Sequence, residues 1–386
     1  MGIRTNLAMP KDIVMISTAD WDAPLWTNKQ QIASRLASDD YRVVYVEPMA
    51  SFGKGSRGYS HTYRRDKSGV FVFRPAVAMP FGQKFEQVNQ INHNLISAPL
   101  RDYIGDLGFE EYILWIYTPN GAPFIHSLNP VLSCYDCVDE YSAFPGVRKS
   151  LTMRMETELI KSVDVVFTTA KTLYDDKVKK NPNTHYVPNV ADFEHFHQAA
   201  SIQPSREIAK LKKPVIGFVG AMNYKLDDTL LGDLFSDHPD WNFVFIGPDR
   251  GFGIERFMHQ QNAHFLGLRT IKDLPSCLAG FDVCIIPYKV DSYTRGVLPI
   301  KFFEYLATGK PVVSTPIPEL ECFRGLIDLA YSADEFGDAI ERRLAEDTPE
   351  QRQERIDLAK QNSWETRINS ILTHLEEAYR SKRLGS

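Results

Sequence analysis

Short apolar runs alternate along this chain with stretches of helical period, and the alternation runs through twice. Ile13–Ser17, Val43–Val46, Val70–Phe73, Tyr112–Tyr117, Val131–Tyr135 and Val165–Thr168 read as one series of strands. Helices are expected between them near Lys29–Ala37, Phe85–Ser97 and Val147–Lys161. A strand that is apolar throughout is buried on both faces, and strands that alternate with helices form a parallel sheet covered on both sides. A polar, proline-bearing segment around His197–Lys213 interrupts the pattern, and Val215–Val219, Phe243–Ile246, Val283–Ile286 and Val312–Ser314 restart it. The expected fold is α/β, with two Rossmann-like domains at residues 1–200 and 205–363. No internal repeat or low-complexity tract is present.

The length of 386 residues suits two domains of this size, and the formal charge of -5 excludes the basic excess of a nucleic-acid binder. The first residues are charged and lack the apolar core of a signal peptide, and no run approaches the roughly 18 apolar residues that span a bilayer. A cytoplasmic protein is expected. Cys134 and Cys137 form a C-x-x-C, but no second such pair or paired histidines complete a metal set. Reduced, mostly buried thiols are the expected state.

The stretch Val297–Thr315, VLPIKFFEYLATGKPVVST, reads as a helix, a turn and a strand. Pro299 suits the first helical position and Gly309 the left-handed position past the last turn. Ile300, Phe303, Leu306 and Ala307 recur at helical spacing and make a core face. Lys301 and Glu304 stand three apart on another face. A helix start with a nearby lysine suits phosphate oxygens, and a glutamate one turn deeper can accept hydrogen bonds from two ribose hydroxyls. The alternative is an amphipathic helix carrying a solvated Lys301–Glu304 salt bridge.

Pro299, Lys301, Glu304, Tyr305, Ala307, Gly309, Pro311, Val312 and Val313 match the P-x-K-x-x-E-Y-x-A-x-G-x-P-V-V block of family 4 glycosyltransferases, and the stretch resembles their donor-binding segment. Val187-Pro-Asn-Val-Ala-Asp192 with Phe196 is similar to the family's segment before the interdomain linker, with Val190 in place of the usual glycine. Val215-Ile-Gly-Phe-Val-Gly220 resembles the first strand and glycine turn of the family's C-terminal domain, and Ser363-Trp364 the point where the family's last helix, here about 364–386, crosses back onto the N-terminal domain. Asp22–Ala33 and Tyr135–Phe144 resemble a TuaH-like, teichuronic-acid subgroup. The resemblance implies a GT-B fold, two Rossmann-like domains facing each other across a cleft. It implies transfer of a sugar from a nucleotide diphosphate sugar to a hydroxyl of a glycan or lipid-linked acceptor in bacterial surface polysaccharide synthesis.

The resemblance also assigns residues. Glu304 holds the ribose, Lys301 lies near the diphosphate and Lys225 stands where the family places a basic residue facing phosphates, with Pro299 and Tyr305 in the same block. Arg295, in the loop feeding that helix, is a further candidate; Lys225 and Arg295 can equally be surface charges, and Gly220 either lets backbone approach the diphosphate or simply makes a turn. The leaving diphosphate gains charge and must be neutralised. No D-x-D stands in the setting of a metal-dependent transferase, so neither a metal nor another cofactor is expected. One departure is Gly296, where the family commonly carries a glutamate that touches the sugar; Asp291 is a candidate substitute. That departure leaves the stereochemical outcome open.

In the first domain Asp139 and then Asp136 are the candidates for a base that takes the acceptor's proton, because they follow an apolar strand. Each can equally cap a helix or fix a loop. Asp20, Asp22, Asn28 and Lys29 are expected to line the acceptor cleft, whereas His93, His126 and His185 have no spacing that marks a base. The segment Lys54–Lys67, with Lys54, Arg57, Arg64, Arg65 and Lys67 among Tyr59, His61 and Tyr63, reads as a solvated loop or as a contact with anionic membrane. Alternative readings are a nucleotide-sugar 2-epimerase of the same fold and a non-catalytic GT-B partner protein.

Overall fold

The computed structural model describes residues 8–49, 60–76, 79 and 85–385, and the chain divides into two units, Met1–Val187 with Ile368–Ser386 and Pro188–Arg367. The division falls before residue 200 because the helix Phe193–His197 packs on helices of the second unit.

The first unit holds β1 (Asp12–Ile16), β2 (Arg42–Val46), β3 (Thr62–Arg65), β4 (Phe71–Arg74), β5 (Ile113–Ile116), β6 (Leu132–Cys137), β7 (Val165–Thr168) and β8 (Thr184–Tyr186). They form one sheet in the order β3-β4-β2-β1-β5-β6-β7-β8, with β3 antiparallel to β4 and the other neighbours parallel. Its helices are α1 (Asn28–Ser38), α2 (Glu86–Asp106), α3 (Ala122–Leu128), α4 (Lys149–Ser162) and α5 (Lys171–Lys177). The apolar runs read from the sequence are the central strands, buried because helices cover both faces.

Two departures have clear causes. Helix α2 continues past Ser97 through Pro99 to Asp106, since Leu100 and Ile104 are buried in the core and packing outweighs the lost backbone bond. Part of the basic segment is an edge strand: in β3, Arg64 pairs with Asp22 and Asp66, and Arg65 lies 5.2 Å from the Phe71 ring centre. Lys54, Arg57 and Tyr59 lie outside the described residues.

The second unit holds β9 (Val215–Val219), β10 (Asn242–Ile246), β11 (Ala263–Phe265), β12 (Val283–Ile286), β13 (Val312–Ser314) and β14 (Asp328–Leu329). They form a parallel sheet in the order β11-β10-β9-β12-β13-β14. Its helices are α6 (Phe193–His197), α7 (Asp228–Asp237), α8 (Leu274–Ala279), α9 (Ile300–Ala307), α10 (Ala333–Glu346) and α11 (Pro349–Gln361). Helix α12 (Trp364–Leu384) follows, and from Ile368 onward it belongs to the first unit. There Lys382 pairs with Asp164, Arg383 with Glu111, and His374 stacks on His185 at 3.7 Å. No helix among the described residues is long and apolar enough to cross a membrane.

The first unit buries an ion pair beneath β6. Lys177 Nζ donates to Glu156 Oε2 at 2.8 Å, and Glu156 Oε1 accepts from Tyr135 Oη at 2.8 Å. Side chains at Lys177 and Glu156 are 2% and 4% exposed, so removing Lys177 leaves the Glu156 carboxylate buried without its ammonium partner, whereas Lys177 also has Asp176 at 3.1 Å and Glu140 at 3.7 Å. Lys177→Met is expected to destabilise the first unit by about 3–5 kcal/mol, with part recovered in Lys177→Met/Glu156→Gln. Denaturant unfolding of the single and double variants checks this.

Candidate functional site

The second sheet reverses its direction of growth beside β9, which has β10 and β11 on one side and β12, β13 and β14 on the other. In open α/β sheets the crevice at the carboxyl ends of the strands at such a reversal is where ligands sit. Here β9 and β12 pair only at Val283↔Ile216 and Cys284↔Gly217, so they part beyond Gly217. The backbone of Val219 then lacks a strand partner on that side, and its N–H donates to Tyr305 Oη at 2.7 Å. Tyr305 is fully buried. Its hydroxyl braces the crevice from below through this bond to the β9 backbone.

Helix α9 forms one wall of this crevice. Its first residue is Ile300, with Pro299 as the extended residue before it, and Gly309 ends it at φ +76°. Pro299 is therefore a buried helix start, one position earlier than expected. Both ends are held: Asn189 Nδ2 donates to Leu298 O at 2.6 Å, and His197 Nδ1 to Ala307 O at 2.9 Å. The V-P-N segment thus ties down the helix that carries Lys301 and Glu304.

Lys301 and Glu304 do not pair with each other. The Lys301 amine donates to Tyr288 Oη and lies 4.9 Å from the Phe218 ring centre. This excludes the simple surface salt bridge. The amine reaches the turn after β9: a Cβ at Gly220 would stand 3.1 Å from Lys301 Nζ, and Gly220 has φ +147°. A Cβ at Gly247, at the end of β10, would stand 2.0 Å from Gly220 O. Two glycine turns and a lysine amine therefore meet with no room for a further side chain, the arrangement that lets backbone approach an anion closely. Glu304 is partly exposed, one turn along the same helix. Burial pushes its carboxyl up to about 7, Lys301 opposes this and Asp192 adds to it.

The loops after β9 and β12 are stitched together. Lys289 N donates to Lys225 O at 2.7 Å and Asp227 N to Pro287 O at 2.9 Å. Lys225 Nζ lies 4.6 Å from the Tyr293 ring centre, so this cation sits beside the loop that feeds α9. Arg295 is exposed on the 3₁₀ turn Thr294–Gly296. Asp291 Oδ1 accepts from the N–H groups of Tyr293 and Thr294 at 2.8 and 2.9 Å, so it shapes the loop. Tyr288, which holds the Lys301 amine, was not singled out from the sequence. Its position just after an apolar strand was the available signal.

In the first unit the same logic points to β1 and β5, where that sheet reverses. Lys29, at the start of α1, is buried with its amine 5.4 Å from the Tyr117 ring centre, and Asn28 beside it is buried too. Asp20 is exposed, and its carbonyl accepts from Gln30 Nε2 at 2.8 Å. Asp22 is bound to Arg64 and Arg74 and belongs to an ion-pair network with Glu47. Asp136 lies inside β6 opposite Phe167 and is fully buried, because the strand runs on to Cys137. That corrects its placement on the rim. Asp139 is partly exposed in the loop after β6. Cys134 and Cys137 are free, buried thiols, both pushed well up by burial.

Residues 213–346 match the family described as Glycosyl transferases group 1. The protein named as a teichuronic acid biosynthesis glycosyltransferase, TuaH, of Bacillus subtilis (strain 168) is 28% identical over 332 residues, covering 79% of this chain and 81% of that protein. Sucrose-phosphate synthase from Thermosynechococcus elongatus superposes with a TM-score of 0.72 at 14% identity, covering 97% of this chain and 100% of that one. Anabaena HepE in complex with UDP and glucose superposes with a TM-score of 0.63 at 15% identity, covering 95% and 98%. These likenesses at low identity establish a shared fold.

Tyr305→Phe leaves the Val219 N–H buried without its acceptor and is expected to cost about 1–3 kcal/mol. Thermal unfolding of the variant against the parent chain measures this.

Proposed function

From the premise that this chain is a glycosyltransferase of the GT-B fold with a group 1 domain over residues 213–346, we propose that it moves a sugar from a nucleotide diphosphate sugar held at the β9–β12 crevice. The observation that carries this is the Lys301 amine against the Gly220 turn, with Glu304 one turn along the same clamped helix. Glu304 accepts hydrogen bonds from the ribose hydroxyls. Lys301, Lys225 and Arg295 face the diphosphate, together with the free amides at the start of α9. The leaving group gains negative charge as the glycosidic bond to the sugar breaks, and these fixed positive groups stabilise it without a metal. Tyr288 holds the lysine amine in place for that role.

Asp139 takes the proton from the acceptor hydroxyl. The acceptor is a growing surface glycan or a lipid-linked saccharide, a reading supported by the name of the Bacillus relative. A lipid-linked acceptor places the enzyme at an anionic membrane face. Co-sedimentation with anionic but not neutral vesicles is then expected, and equal behaviour with both removes this part of the reading.

The test of the donor site is a calorimetric panel of nucleoside diphosphates and nucleotide sugars. A ligand at a hundredfold excess over its Kd raises apparent stability by about 2.7 kcal/mol, so a true donor stands out. Glu304→Ala is expected to abolish the hit mainly through affinity, and Lys301→Ala to lower kcat more than it raises KM. Full activity in both variants overturns the assignment.

Glu304 also sets a pH dependence. Its folded carboxyl sits near 7, above its unfolded value, so in that interval the folded state holds the extra proton. The contribution of Glu304 to stability of the unliganded chain therefore falls as pH rises from 4.5 to 7. Ribose hydroxyls donate to the ionised form, so nucleotide affinity moves the other way and rises through the same interval. Both trends are expected to vanish in Glu304→Gln, measured by unfolding and by calorimetry across pH.

A further inference from the structure

At the opposite end of the second sheet from the crevice lies an open hollow of about 560 Å³. Pro214, Asp282 and Pro311 immediately precede β9, β12 and β13, so the hollow sits at the amino ends of three adjacent strands. The end of α10 and the start of α11 complete it through Arg343 and Arg352. The five-residue strand β9 places it about 15 Å from the crevice at 3.3 Å per residue.

Four cations line the hollow, Lys213, Lys310, Arg343 and Arg352, against two carboxylates, Asp282 and Asp347. Both carboxylates are already engaged. Asp282 Oδ1 takes Lys213 Nζ at 2.7 Å and its Oδ2 takes Val215 N–H at 2.7 Å. Asp347 Oδ2 takes the fully buried Arg355 at 2.6 Å, and the same guanidinium donates to Gly309 O at 2.8 and 3.1 Å. Arg343 in turn is paired with Asp328.

Lys310 and Arg352 are left over. Among the described residues neither has a carboxylate partner, and the Lys310 amine donates only to Ala279 O at 3.3 Å. Burial pulls Lys310 below the usual lysine range; Lys213 and Arg352 push the same way, and Asp282 opposes them. The two meet where α9 turns into β13, because Arg352 packs against Gly309 and Lys310 follows it. Such a pocket has positive charge that the protein itself does not neutralise, with two donors free to grip oxygen atoms.

We propose that this hollow is a second anion site, separate from the donor crevice, that takes the phosphate or diphosphate group of a phosphorylated small molecule through Lys310 and Arg352. Lys213 and Arg343 stand at its edge and add to the attraction. It makes no use of Lys301 or Glu304, so it stands whether or not the donor assignment does.

The experiment is calorimetric titration of the full chain with inorganic pyrophosphate, with Lys310→Met/Arg352→Gln, the single Arg352→Gln and Lys301→Ala as comparisons. Because the crevice can itself take pyrophosphate, the variants are compared in the Lys301→Ala background, where binding is expected to persist, to weaken less in Arg352→Gln and by about tenfold or more in the double variant. Arg352 is exposed, so its single variant reports on the site even if the double variant folds poorly. Undiminished binding in Arg352→Gln together with the double variant overturns the proposal. So does binding that disappears in Lys301→Ala, or a parent chain that binds no pyrophosphate at moderate salt.

Discussion

Where β9 and β12 stop pairing, one backbone amide has to be satisfied, and much of the second unit is arranged around that requirement. The N–H of Val219 is buried at the point where the sheet opens, and a buried unpaired amide costs as much as a lost hydrogen bond. Tyr305 supplies the acceptor from helix α9. The bond fixes the depth and rotation of α9 against the sheet, and with them the positions of Lys301 and Glu304 on the adjoining face. Asn189 at one end of α9 and His197 at the other hold the helix along its axis. The opening of the sheet and the placement of its charged residues are therefore one structural fact.

Charge is distributed unevenly over the two ends of this sheet. At the carboxyl ends a lysine amine, two glycine turns and a partly exposed glutamate with a raised pKa share a crevice. At the amino ends a hollow keeps two cations without carboxylate partners, while Arg355 neutralises the carbonyl that ends α9. Helix α9 joins these regions, with Lys301 near its start and Gly309 at its finish. Burial pushes the glutamate's carboxyl up to about 7, and hydrogen bonds from a bound ligand to its ionised form would act in the opposite direction.

The central strands were legible because a strand covered on both faces has to be apolar throughout. The edges were not. In β3 all four residues are exposed and two are arginines, so the sequence there reads as a basic loop. Its strand character comes from pairing with β4, which no local pattern encodes. Strands β8 and β14 are three and two residues long, too short for any periodicity. In the first unit Asp136 looked like the first residue of a loop because it is charged, yet it is a strand residue with no exposure. Asp22 and Asp291 looked available and are committed, one to arginines from β3 and β4, the other to the N–H groups of its own turn.

The sequence by itself determined the two-fold strand–helix alternation, the helix bounded by Pro299 and Gly309, and the Lys301–Glu304 spacing. These depend on local rules: which residues fit a helix start, which can take φ > 0, and which faces are apolar. Only the tertiary structure decided that Lys301 reaches the Gly220 turn instead of pairing with Glu304, and that the Tyr305 hydroxyl bonds the backbone of β9. It alone left Lys310 and Arg352 without carboxylate partners among the described residues. Those outcomes depend on which distant backbone and side-chain groups arrive at the same place, and the distance along the chain between Val219 and Tyr305 carries no local signal of their hydrogen bond.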